Sequence, residues 1–228
     1  MLKIDKHITP SAEQWEIIIE GMRNPMNSWD KMDSQMGCSD KGGTFCTFEC
    51  VDCDAYTYNI GDNDLDLMNR LNKAGSDHRK YKRMIPVWVT VTAPLYWWKE
   101  FDTYKVGTVA NSCSTMHKIH AKEFEWDDFS FEQLLPDEAT EFMKHLVDGL
   151  NFYRVKFLET KDKKYWWQLI QLLPSSYNQK RTLFLNYEVL SNIYRARRNH
   201  KLDEWHTFCD FIKTLPYSEL ITGGDTDV

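Results

Sequence analysis

Asn186, Leu190, Ile193 and Arg197 recur at spacings of three and four, so a helix would carry them along one side. That side mixes apolar anchors with an amide and an arginine, and a second amide, Asn192, stands one step round. Amides donate and accept at ring edges, and a guanidinium grips phosphate in a planar fork. The set therefore suits a ligand that carries rings and phosphates. The simpler alternative is a partly exposed helix end at which Arg197 and Arg198 favour the C-terminal dipole. A second group is Cys46, Cys50 and Cys53, spaced C-x3-C-x2-C. Three thiolates so spaced hold a four-iron cluster with one iron open, and with Cys38 as a fourth thiol they would hold a structural zinc. Only one C-x2-C pair is present, and ordinary reduced cysteines on an inserted loop satisfy the same pattern. Ser114, in Ala110-Asn111-Ser112-Cys113-Ser114-Thr115, is either a substrate contact or a turn cap. Cys113 beside it would need a depressed pKa to act as a nucleophile. His117 and His120 are close enough for a metal pair but lack a following carboxylate motif.

Helices and one strand must position these residues. Thr9 and Pro10 predict a helix start, with Thr9 as cap, running through Trp15, Ile18 and Ile19 to about Gly21. Residues 22–35 read as a polar, ordered loop, and 36–61 as an irregular insertion that carries the cysteines. Asp62 or Asn63 caps a second helix with Leu65, Met68 and Leu71, stopped by Gly75. Residues 85–93 alternate, with Val87, Val89 and Val91 on one face of a strand. A short aromatic helix follows over about 95–104. A long helix begins near Pro136, with the stripe Phe142, Leu146, Leu150, Tyr153 and Phe157. Further helices fall near 163–172, 187–198 and 202–214, and residues 221–228 read as a disordered tail. The sum is an α+β, helix-rich chain, with residues 1–220 as a single domain.

The chain has 228 residues, enough for one domain with a sizeable core. Its formal net charge of −6 argues against general nucleic-acid binding, which runs on basic patches. No apolar run approaches the roughly 18–20 residues of a membrane span, and the segment from Met1 to His7 lacks a signal peptide's apolar stretch. A cytoplasmic protein with reduced cysteines is expected. Nine Trp, eleven Tyr and twelve Phe supply material for a core, for subunit interfaces and for stacking.

The block from Asn186 to Trp205 resembles the C-terminal signature of the flavin-dependent thymidylate synthases. In that family an Asn, a Leu four residues on, a second Asn and then an Arg line the flavin and nucleotide pocket. Asn186, Leu190, Asn192 and Arg197 fall on those positions. Leu173-Pro174 stands twelve residues before Asn186, as an equivalent Leu-Pro does in the family, and Gly75-Ser76-Asp77-His78 resembles its Gly-His element. The family's Arg-His-Arg, seven residues and Ser read here as Tyr104-Lys105-Val106, seven residues and Ser114, with Asn111 on the family's Asn. The similarity spans roughly residues 12–35 and 65–215.

The resemblance implies a helix-rich fold with a small antiparallel sheet and a homotetramer with flavin sites between subunits. It implies FAD as cofactor, held by His78, Tyr104, Lys105, Asn111, Asn186 and Asn192. Ser114 and Arg197 would meet the nucleotide, with Ser114 in the catalytic position. The reaction would be methylation of dUMP or a related nucleotide, with methylenetetrahydrofolate and NADPH as co-substrates. Departures accompany it. Only Lys105 keeps a charge in the Arg-His-Arg register, Met116-His117 replaces Arg-Tyr, and Ile170 stands where the family has a phosphate-binding arginine. Lys163, Lys164 or Arg181 could substitute from nearby. Two functional classes therefore stand side by side. One is an enzyme of this reaction. The other is a catalytically altered or inactive relative that binds a nucleotide or flavin, or serves as an interaction protein. A third is an iron–sulfur or zinc protein built on Cys46, Cys50 and Cys53.

Overall fold

The computed structural model describes residues 1–38 and 56–223. Cys46, Cys50 and Cys53, with the metal chemistry expected of them, lie outside the described residues, as do residues 224–228 of the expected tail. The strands are β1 (Lys3–Ile8), β2 (Gln35–Cys38), β3 (Tyr56–Asn59), β4 (Pro86–Pro94), β5 (Val109–Ser112) and β6 (Asn178–Asn186). The helices are α1 (Ala12–Arg23), α2 (Asp62–Lys73), α3 (Leu95–Phe101), α4 (Glu138–Thr160), α5 (Lys163–Leu172), α6 (Tyr187–Arg197), α7 (Asp203–Lys213) and α8 (Glu219–Thr222). A four-stranded sheet has the order β1-β4-β6-β5, and β2 pairs antiparallel with β3, Gln35 opposite Asn59. The chain is thus helix-rich with a small antiparallel sheet, as expected. No helix among the described residues is long and apolar enough to cross a membrane.

The chain divides into two compact units. The first comprises Met1–Lys6, Val89–Lys105 and Ala110–Leu183. Its apolar cluster joins Ile119, Phe124 and Phe129 to Met143, Val147 and Leu150 of α4 and Leu169 of α5. The expected α4 stripe is corrected here. Phe142 is 70% exposed, and the inward face runs through Met143, Val147 and Leu150, with Leu146 and Tyr153 half-buried. The stripe read from sequence was centred a fraction of a turn away, because apolar residues on the outer face blur the phase of the 3.6-residue period. On α3, Trp97, Trp98 and Phe101 are buried, with their rings packed edge-on or stacked. Burying large aromatics, at roughly 150–250 Å² each, dominates such a local core.

The second unit comprises His7–Trp88, Val106–Val109 and Phe184–Val228. The cap of α1 is Ser11 rather than Thr9. Its hydroxyl accepts from Gln14 N–H while the Gln14 side chain accepts from Ser11 N–H. Gln14, three residues on, closes that reciprocal box, and Thr9 has no such partner. The start of α2 is likewise held from outside the helix. Asp33 accepts from the N–H groups of Asn63 and Asp64, so a loop carboxylate supplies the cap that sequence assigned to Asp62 or Asn63. Gly61 makes this possible, because a Cβ there would lie 2.3 Å from Asp33 Cγ. Asp64 itself is fully buried and accepts from Arg23 Nε at 2.5 Å, from the Ser34 hydroxyl and from two backbone N–H groups. The side chains of Trp15, Ile19, Met68, Leu190, Ile193, Phe208 and Ile212 are buried in this unit.

Three further expectations change. Residues 35–38 and 56–59 pair as a hairpin-like ladder rather than forming irregular chain. β1, β5 and β6 were unforeseen. β1 and β5 expose nearly every residue, and Lys180, Arg181 and Thr182 interrupt the apolar signal of β6. Finally, Ile221 and Thr222 close α8, with Leu220 and Ile221 buried, so the chain stays ordered through Gly223.

Candidate functional site

The residues singled out from sequence fall into two sets, one in each unit. In the second unit, Asn186 ends β6 and caps α6, its Oδ1 accepting from Val189 N–H at 3.0 Å. The capping bond leaves its Nδ2 without a hydrogen bond among the described residues. That nitrogen sits 3.4 Å from where a Cβ at Gly107 would lie, and Gly107 has φ +78, a left-handed backbone that excludes most side chains. Leu190 and Ile193, which share the Asn186 side of α6, are fully buried. This side therefore packs along its middle and offers polar groups only at its two ends. Arg197 lies eleven residues on, about 16 Å along the axis at ~1.5 Å per residue, with its guanidinium 4.8 Å from the Trp205 ring centre. Only an extended ligand could meet both ends. Asn192 points to solvent. His78 is exposed on the turn that Gly75 opens. Arg79 next to it pairs with Glu188 at 3.0 Å, which ties this turn to the first turn of α6.

In the first unit, Tyr104 and Lys105 follow α3. Tyr104 is half-buried near Phe101 and Lys105 is exposed. Asn111 is exposed on β5. Ser114 follows it and accepts from the N–H groups of Met116 and Lys118, both at 3.3 Å. The turn-capping alternative is therefore realised, and because both bonds use the oxygen as acceptor, the exposed hydroxyl keeps its donor. Ser114 shares a cavity of about 200 Å³ with Cys113, Lys118, Lys122, Asp128 and Tyr177. Lys122 is paired with Glu125 and Asp128. Lys118 has no ion pair among the described residues, so its charge is available to an anion. Burial, then the neighbouring Cys113 and Asp128, pushes the Tyr177 phenol up to about 12, so it is a neutral donor at the cavity wall.

A brace beneath this cavity involves a residue expected in another role. Arg181 donates to Asp102 at 2.8 Å and to Gln179 at 2.9 Å, and lies over the Trp98 ring at 4.3 Å. Gln179 in turn donates to the Cys113 carbonyl. Arg181 thus helps to position the Cys113–Ser114 backbone, so it is a paired brace and not the free cation expected of a substitute phosphate clamp, although its remaining N–H groups have no partner among the described residues. Lys163 lies 5.6 Å from the Trp167 ring centre, and Lys164 pairs with Asp162. Ile170 packs against the apolar cluster of this unit. Reasoning from sequence missed Lys118 and Lys122. Their only signal was recurrence at four-residue spacing after Ser114, in a segment with no regular helix to organise it.

No protein-family model matches this sequence, and no curated protein matches it significantly. Solved structures do. A crystal structure of the flavin-dependent thymidylate synthase ThyX from Helicobacter pylori, complexed with FAD and dUMP, is similar over 97% of this chain and 98% of its own. The TM-score is 0.63 and the identity 15%. A second structure of the same enzyme with FAD and dUMP gives a TM-score of 0.62 at 15% identity, over 97% of both chains. The chain has the fold of the flavin-dependent thymidylate synthases, as its sequence resemblance implied.

Proposed function

We propose that this chain binds FAD and a uridylate-type nucleotide, dUMP or a close relative. Reductive methylation of that nucleotide with methylenetetrahydrofolate and NADPH survives only as a weak activity. The observation that carries this reading is the fold shared over 97% of the chain with proteins whose structures hold FAD and dUMP. The second unit carries His78, Asn186 and Asn192, polar side chains suited to ring edges. The first unit carries Lys105 and Asn111, both exposed and suited to phosphate and ribose. The flavin, once bound, supplies the redox chemistry, and the protein binds and orients. In the first unit, Ser114 and Lys118 supply a hydroxyl and a cation suited to a nucleotide phosphate; in the second unit, Arg197 supplies a cation suited to the same ligand class.

The visible spectrum of the purified protein, before and after incubation with FAD, tests the reading. Flavin bands near about 375 and 450 nm are expected. A protein that takes up no FAD overturns it. A broad brown band near about 400 nm would point instead to a cluster on Cys46, Cys50 and Cys53.

Arg197→Ala should weaken dUMP binding by about 2–4 kcal/mol, the loss of a charge-assisted pair. Folding stability should fall by less than binding does, with the Trp205 stack contributing about 0.5–1 kcal/mol of it. Titration calorimetry and urea unfolding measure the two. Equal losses would reduce Arg197 to a helix-end stacking residue.

The same reading makes the protein a homotetramer. Phe142, Phe152 and Val155 of α4 and Trp167 of α5 expose apolar surface suited to burial against other copies. Light scattering at micromolar concentration should give about four times the 27.1 kDa chain mass. A clean monomer would count heavily against flavin sites built between subunits.

A further inference from the structure

We propose that the second unit carries a separate site for the phosphate group of a small phosphorylated ligand, in a cavity between α2, the turn at residues 80–84 and α6. The cavity holds about 200 Å³ and is lined by Lys73, Arg79, Lys82, Arg195 and Arg198. This is far more than the ~10–15 Å³ one water needs and less than the ~300–1,000 Å³ of pockets for drug-sized ligands. A phosphate with a small remainder fits, and a dinucleotide does not. None of the lining residues is an acid, although acidic residues outnumber basic ones 34 to 28 in the chain. Five cations around one concavity, in a chain of net negative charge, create a local field that an anion relieves.

The donors are arranged for such a ligand. Arg79 gives two of its N–H groups to Glu188 and keeps three. Lys73 and Arg195 have no ion pair among the described residues. Lys82 forms the floor. It is 1% exposed, and its ammonium donates to Asn72 Oδ1 at 3.0 Å, Ser191 Oγ at 2.6 Å and the Leu220 carbonyl at 2.6 Å. All three acceptors are neutral. Lys82 therefore pins α2, α6 and α8 around the cavity while its charge lacks a bonded counter-ion. Burial, against an opposing effect of Glu188 and with added pressure from Arg79 and Arg195, lowers its pKa to about 8. None of His78, Asn186, Asn192 or Arg197 lines this cavity. The site is thus independent of the proposed flavin and nucleotide contacts.

The test is calorimetric titration of the full chain with inorganic phosphate, at ionic strength held constant with chloride. A parallel titration uses ribose 5-phosphate. Saturable phosphate binding is expected, weakened at least tenfold by Arg195→Glu and by Lys73→Glu, both exposed residues with no bonds to lose. Tighter binding of ribose 5-phosphate identifies a phosphorylated metabolite as the source, and equal binding identifies free phosphate. Both outcomes support the site. Two results overturn it: a response no larger than that to matched chloride, and Glu variants that bind phosphate as the unaltered chain does. Circular dichroism of each variant shows that the fold is retained.

Discussion

Assayed with dUMP, methylenetetrahydrofolate, FAD and NADPH, the protein is expected to make thymidylate roughly 10³–10⁶-fold less effectively than an enzyme with the full cation set. Clamping the nucleotide phosphate and holding the uracil over the flavin are positioning tasks, and positioning is a large part of such rate enhancement. Three cations that the resemblance would require are absent. Tyr104 is half-buried, Val106 is 93% exposed, and Ile170 packs against the apolar cluster of its unit. Each lost charge-assisted contact is worth about 1.5–3 kcal/mol, so three sum to about that range of rate. Arg181 on β6 is paired with Asp102 and stacked on Trp98, so its charge, already partly balanced, compensates only in part. If Lys118 beside Ser114 takes the nucleotide phosphate as proposed, Lys118→Ala should lower the remaining turnover by roughly 10–100-fold. Complementation of a thymidine-requiring bacterial strain provides the second readout. Robust growth without thymidine would mean that other residues have rebuilt the clamp.

Asp64→Ala is expected to destabilise the protein by about 3–5 kcal/mol, the usual penalty for removing one partner of a buried pair. The variant leaves Arg23, 3% exposed, without its carboxylate. It also strips an acceptor from Ser34 and from the backbone of residues 33 and 34. Thermal unfolding should shift down on the order of 6–20 °C for a chain of this size. Replacing both partners, as Arg23→Met with Asp64→Leu, should return most of the loss, because matched apolar groups need no counter-charge. The pH dependence has a definite sign. Burial alone would raise the Asp64 carboxyl, but the Ser34 hydroxyl, the Arg23 guanidinium and the backbone N–H groups together hold it below the usual carboxylate range. A depressed folded-state pKa contributes stability that is complete above the unfolded value of about 3.9 and is lost as pH falls through the folded value. Urea midpoints for the unaltered chain should therefore drop on acidification below about pH 4, and those of the double variant should drop less. A single-variant loss under about 1 kcal/mol would show that water reaches Arg23 and replaces its partner.

The sequence by itself determined the helices that end on strong local signals. α2 stops where Gly75 takes φ +107, and α5, α6 and α7 fall within a residue or so of their expected ranges. β4 was legible because Val87, Val89 and Val91 alternate and one face is buried. The likeness to the flavin-dependent thymidylate synthase fold was also readable, through the resemblance of Asn186, Leu190, Asn192 and Arg197 to that family's motif. Other features belong to long-range contacts that no local pattern encodes. β1 and β5 are exposed, and their backbones are satisfied by partners distant in sequence rather than by any apolar alternation of their own. The cap of α2 comes from Asp33, about thirty residues upstream, through a gap that only Gly61 leaves open. Arg181 looked like a free cation and became a brace once Asp102, 79 residues away, reached it. The five cations of the cavity, Lys82 among them, sit on or beside α2, the following turn and α6, and they come together only when α6 folds against both. Charge and hydrogen-bond partnership depend on distance in space, and the chain acquires those distances only on folding.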